Sequence, residues 1–127
     1  MSLFTQSLLL LCVLTFSKQN VLGVHQVNVH NTLEGNLDMT LHCQSGDDDL
    51  GVHLLDPYEH FGWHFNISLF YTTLFYCSVK WNDELHHFDA FIANYRDRHR
   101  FVLDWYIKKE QPCVVSIGGK DGCYPWK

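Results

Sequence analysis

Five stretches of this chain alternate apolar and polar side chains one for one, and that period decides the class of fold. Val27 and Val29 alternate with Asn28 and His30. Leu37, Met39, Leu41 and Cys43 form a row against Asp38, Thr40, His42 and Gln44. Phe61, Trp63 and Phe65 alternate with Gly62 and His64. Thr73, Phe75, Cys77, Val79 and Trp81 form a fourth row, and Phe101, Leu103, Trp105 and Ile107 a fifth. A period of two sends one face of an extended strand into a core and the other into water. The β-branched and aromatic residues in these rows suit a pleated surface. Turn formers fall between the rows, at Glu34-Gly35-Asn36, Ser45-Gly46-Asp47, Asp56-Pro57, Asn82-Asp83-Glu84 and Gly118-Gly119-Lys120. The pattern predicts an all-β chain, a small antiparallel β-sandwich of about seven to eight strands. Residues 87–98 are expected to form a strand and then a loop rather than a short helix.

Residues 8–14 are an apolar run, extended by Phe16 and followed by Ser17, Lys18, Gln19 and Asn20. The run is shorter than the about 20 residues that span a bilayer, and it reads as the core of a secretory signal. Cleavage is expected after Gly23, with Ser17 as the second choice. The domain plan is then a signal at 1–23 and one domain at 24–127. Lys18 is the one charged side chain lost, so the formal charge moves from −5 to −6. Cys12 leaves with the signal, and Cys43, Cys77, Cys113 and Cys123 remain. An even number in a short secreted chain implies disulfides. Cys43 ends an early strand, Cys123 opens the last segment, and first and last strands are often neighbours in a sandwich. Cys77 lies mid-strand, and Cys113 starts the strand after a turn at 108–111. The favoured pairing is Cys43–Cys123 with Cys77–Cys113, and the alternative is Cys43–Cys113 with Cys77–Cys123.

Charge and motifs narrow the function. An acidic chain lacks the basic excess of a nucleic-acid binder, and an anionic membrane repels it. No transmembrane segment is expected once the signal is removed, and a monomer is expected. The nine histidines invite a metal reading, but His60 and His64 on one extended strand stand about 13 Å apart, too far to share a zinc ion. Asp47, Asp48 and Asp49 lack the ligand alternation of a calcium loop. No Gly-x-Ser-x-Gly is present, and the cysteines are expected to be oxidised. No catalytic, metal or cofactor site is therefore expected. Asn66-Ile67-Ser68 is a sequon for N-glycosylation at Asn66. Trp63, Trp81, Trp105 and Trp126 are expected as core and lid residues.

Short motifs in a fixed order resemble a known family. They are Val27-Asn28-Val29-His30-Asn31, Leu41-His42-Cys43-Gln44-Ser45 with Asp47-Asp48-Asp49-Leu50-Gly51, and Trp63-His64-Phe65. Then come Thr72-Thr73-Leu74-Phe75-Tyr76-Cys77 with Trp81, Phe88-Asp89, Arg96-Asp97, Trp105, Cys113 and Cys123-Tyr124-Pro125-Trp126. Together they resemble the plant self-incompatibility protein homologues, small secreted proteins of flowering plants. Many relatives carry further cysteines between the Arg-Asp dipeptide and the next tryptophan. Here Arg98-His99-Arg100-Phe101-Val102-Leu103-Asp104 has none, so any extra bridge is absent. The resemblance implies a β-sandwich, secretion, no catalysis, and a role as an extracellular ligand for a cell-surface protein receptor. Recognition is expected through loops 45–50, 56–60, 82–86 and 96–100, on Asp47, Asp48, Asp49, Tyr58, His60, Asn82, Asp83, Glu84, Arg96, Arg98 and Arg100. The alternative is a secreted carbohydrate-binding or defence protein on the same sandwich, and a secreted ribonuclease stands behind it.

Overall fold

The computed structural model describes residues 24–67, 70, 72–93, 96–117 and 121–127. The expected signal at 1–23, Ser68 of the sequon and the Gly118-Gly119-Lys120 turn lie outside the described residues. Nine strands follow in chain order: β1 Val24–Asn31, β2 Met39–Gln44, β3 Asp49–Leu55, β4 His60–Asn66, β5 Leu74–Trp81, β6 Glu84–Ile92, β7 Val102–Ile107, β8 Pro112–Ile117 and β9 Gly122–Cys123. They form two packed sheets, ordered β4-β1-β7-β8-β9 and β3-β2-β5-β6. The all-β sandwich expected from the alternation is what the chain builds.

Two details differ from expectation. The described residues form nine strands, because residues 49–55, which belong to none of the five alternating rows, form β3, and because the short β9 adds a ninth. The sheets are also not wholly antiparallel. β1 pairs with β7 in parallel, placing Val27 opposite Leu103 and Val29 opposite Trp105. Each strand reverses the direction of the one before it, so β1 and β7, both odd in order, run the same way. The first strand therefore lies inside its sheet, flanked by β4 and β7.

The apolar rows meet between the sheets. Val27, Val29, Leu103, Trp105 and Ile107 come from one sheet, and Met39, Leu41, Val79 and Trp81 from the other; all are buried. In β4, Trp63 is buried and Phe61 and Phe65 pack half-buried against the core, while His60 and His64 face water. That is the register the alternation predicts. Phe101 departs from its row. It precedes β7, is 47% exposed, and stacks on the buried His25 at 5.3 Å.

The expected disulfide pairings are both wrong. Cys43 is bonded to Cys77, and Cys113 to Cys123. Cys43 and Cys77 lie directly opposite across β2 and β5, with Cα atoms 4.1 Å apart. Cys113 and Cys123 lie opposite across β8 and β9, with Cα atoms 3.9 Å apart. Side-chain direction rules out the expected bridges. Cys77 points into the core, whereas Cys113, between buried Pro112 and Val114, points to the outer face. Cys43 belongs to the four-stranded sheet, and Cys123 to the far edge of the other. Each bridge is thus internal to one sheet.

Candidate recognition surface

Because every strand reverses direction, the connections alternate between the two ends of the sandwich. The four expected recognition loops do not converge. Residues 56–60 and 82–86 lie at one end, and residues 45–50 and 96–100 lie at the other.

The first end is organised by one buried polar side chain. Asn31 closes β1 and is 1% exposed. Its amide donates to Leu37 O at 2.7 Å and to Leu55 O at 3.0 Å, and its Oδ1 accepts from Leu33 N at 3.2 Å. Its own N–H donates to Glu59 O at 2.9 Å, and its carbonyl accepts from Tyr58 N at 2.9 Å. A buried amide costs stability unless its donors and acceptors are matched, and here they tie three chain segments together. Tyr58 is held above them at φ 68°, 75% exposed. The turn beneath it is closed by Glu59 N donating to Asp56 O at 3.0 Å and by Asp56 N donating to Glu59 Oε1 at 2.7 Å. An aromatic residue in left-handed backbone is uncommon and persists only where its surroundings fix it. The other non-glycine residues with positive φ, Asn36 and Asn82, sit in turns at the same end. Asn82 and Asp83 are exposed at the β5–β6 turn. Glu84 accepts the Trp81 indole N–H at 3.0 Å. Nearby, Glu34 accepts the Lys109 N–H at 3.1 Å, and this bond, ahead of the Lys108 and Lys109 charges, holds its carboxyl below the usual carboxylate range.

At the other end, Asp47 and Asp48 are exposed, and their amide N–H groups donate to the Ser45 hydroxyl at 3.4 and 3.1 Å. Asp49 is engaged in the turn. It accepts the Gly51 N–H at 2.9 Å and faces His42 at 2.7 Å, and these two partners, in that order, lower its pKa. Arg96 and Arg100, expected at a recognition loop, are instead turned inward. Asp97 is fully buried, and its carboxylate accepts from Ile92 N at 2.8 Å and from Arg96 Nε at 2.9 Å, with Arg100 Nη1 at 3.3 Å. Arg96 also donates to Asp89 O at 2.7 Å and lies over the rings of Trp105 and Tyr124, at 5.2 and 4.9 Å. Both arginines neutralise an interior carboxylate. Arg98 alone of the three is exposed.

A polar ladder crosses the outer face of the five-stranded sheet, and none of its members except His60 was expected in a site. Gln26 donates to Asn28 at 3.0 Å, Asn28 to Asp104 at 3.0 Å, and His30 Nε2 meets Asp104 at 2.9 Å. His30 stacks on Tyr106 at 4.6 Å and faces His60 at 5.1 Å. The sequence offers Gln26, Asn28 and His30 as a polar row but gives no sign that β7 lies beside them. Gly62 makes room for this ladder, since a Cβ there would collide with the Asn28 side-chain oxygen. Gly62→Ala is expected to cost about 1–2 kcal/mol by breaking the bond from Asn28 to a charged acceptor. In an Asn28→Ala background the same change should cost clearly less, since only the 3.3 Å approach to the Val27 carbonyl remains, as chemical denaturation of the wild type and the three variants would show. An equal cost in both backgrounds would refute the contact.

Among the described residues no group of three or more His, Cys, Asp or Glu is placed to hold a metal ion. No helix there is long and apolar enough to cross a membrane. Three comparisons bear on the whole arrangement. The sequence profile described as plant self-incompatibility protein S1 matches residues 26–126. The chain is 37% identical over 102 residues to S-protein homolog 29 of Arabidopsis thaliana, covering 79% of this chain and 76% of that protein. It is 36% identical over 98 residues to S-protein homolog 5 of the same plant, covering 75% and 73%. Its fold matches a solved self-incompatibility protein homologue with a TM-score of 0.61 at 13% identity, over 83% of this chain and 96% of that one. That structure represents a family described as small, highly stable, secreted proteins from plants.

Proposed function

The chain belongs to the plant self-incompatibility protein S1 family, and we propose that it acts as a secreted ligand that binds a cell-surface protein through the Tyr58 end of the sandwich. The family is one of small secreted plant proteins. Residues 1–23 serve as the signal, in keeping with a family match that opens at residue 26. Secreted protein is expected to begin at Val24, and N-terminal sequencing that returned Met1 would refute this. The activity is binding rather than turnover.

Tyr58 carries this reading. It is a large ring, 75% exposed, on a turn whose backbone is pinned from below by Asn31. Rigid tyrosines lose little entropy on binding and are frequent energetic anchors of interfaces. Asn is at ease in left-handed backbone, so Tyr58→Asn should leave the melting temperature unchanged or slightly raised. The same change should weaken saturable binding to plant plasma-membrane fractions by about 30-fold, or about 2 kcal/mol. Unaltered binding of a folded Tyr58→Asn protein would sink the proposal. Asp47→Ala, at the opposite end, is the control expected to bind normally.

A further inference from the structure

The end opposite Tyr58 holds a cleft of about 480 Å³, within the about 300–1,000 Å³ usual for small-molecule sites. The turn at residues 45–48 forms one wall and residues 72–76 the other, with Phe65 and Asn66 between them. Phe65 and Phe75 pack at 4.6 Å in its floor, and Tyr76 is 38% exposed at its side. Hydroxyl-bearing Ser45, Thr72 and Thr73 and the carboxylates of Asp47 and Asp48 line the rest. Aromatic residues beside hydroxyl and carboxylate residues suit a pyranose sugar, whose C–H face packs on rings while its hydroxyls bond to polar groups.

The lining also contains the residue that would deliver such a sugar. Asn66 is exposed at the end of β4 and belongs to the Asn66-Ile67-Ser68 sequon. In the secretory pathway the Asn66 Nδ2 attacks C1 of a lipid-linked oligosaccharide diphosphate. The N–C1 bond forms, the C1–O bond to the diphosphate breaks, and the amide proton leaves with that diphosphate. The first sugar then starts at the cleft mouth. Tethering gives it an effective concentration of order millimolar, so even a weak site is filled. We propose that this cleft binds the first two N-acetylglucosamine residues of the chain's own glycan on Asn66. The glycan then covers Asp47 and Asp48 and makes this end a shielded one. The inference rests on membership of a secreted family and not on the Tyr58 reading, so either can fail without the other.

The test uses three secreted forms from a eukaryotic host: one with a full high-mannose glycan, one trimmed by endoglycosidase to a single N-acetylglucosamine, and Ser68→Ala with no glycan. Amide exchange is followed by mass spectrometry on peptides covering residues 45–48, 72–76 and 56–59. Exchange in the first two peptides should be slower by about threefold or more with the full glycan, intermediate with one sugar, and unchanged at 56–59. Tyr76→Ala, or Asp47→Ala if that variant folds poorly, should abolish the difference while mass shows the glycan intact. Equal exchange in all three forms would overturn the proposal, as would an unmodified Asn66. Protection of Ser68→Ala by free di-N-acetylchitobiose without protection by the tethered glycan would overturn it too, and would assign the cleft to an external sugar.

Discussion

Trp105→Ala is expected to lower stability by about 3–5 kcal/mol, a large share of the about 5–15 kcal/mol available to a domain of this size. Trp105 is fully buried in the middle of β7. Its indole crosses from one sheet to the other, donating its N–H to Ala90 O on β6 at 2.9 Å. Phe88 and Tyr124 lie at 5.1 and 5.9 Å, and the Arg96 guanidinium lies over its face. Truncation removes the apolar contacts, opens a cavity, and leaves a buried carbonyl without its donor. Trp105→Phe separates these effects. It keeps most of the volume and loses the hydrogen bond, and should cost about 1–3 kcal/mol. Urea denaturation of both variants gives the two numbers. Equal losses would mean that the hydrogen bond, and not the packing, dominates.

Asp97→Ala is expected to cost about 3–5 kcal/mol, because it strands buried cationic charge. Asp97 has no exposed side-chain surface, and Arg96 and Arg100 are 13% and 8% exposed. Its carboxylate also caps Ile92 N at 2.8 Å, where β6 ends. Asp97→Asn retains some of these hydrogen bonds and should cost less. The loss should barely change between low salt and 1 M sodium chloride, because ions cannot reach a buried pair as they reach a surface one. A loss that disappears in high salt would place Asp97 at the surface.

The rows around Val27, Leu41, Trp63, Val79 and Trp105 were legible in the sequence because one face of each strand is dry and the other wet. β3 was not legible, because its pattern is inverted. Val52 and Leu54 point outward, 65% and 66% exposed. Gly51 takes φ 83°, and the pairing shifts register between His42 and Gln44. β6 is blurred in a similar way. A register shift opposite Phe75 and Tyr76 leaves adjacent Ala90 and Phe91 both buried. Disulfide partners depend on which strands are neighbours and which way each cysteine points, and neither follows from spacing alone. The arginines misled for a related reason. A charged residue in a turn-rich segment reads as surface, and the carboxylate that draws Arg96 and Arg100 inward is visible only once residues 89–100 are folded. Tyr58 was picked out for its place in a loop. The sign of its φ and the buried Asn31 beneath it were beyond the sequence.

The parallel pairing of β1 with β7 sets an order of assembly. β2, β3, β5 and β6 lie within a continuous stretch, and the Cys43–Cys77 bond can close that sheet while later residues are still being made. β1 cannot finish so early. The hydrogen bond from Asn28 to Asp104 joins residues 76 apart, and contacts at such separation form slowly. Until β7 arrives, the first strand has one open edge, the feature that invites pairing with another chain. Asn31 terminates that same strand and holds Tyr58 in place. Synthesis through β7 is therefore a condition for a correctly shaped Tyr58 end. Molecules interrupted before residue 102 should be the ones that the secretory pathway retains.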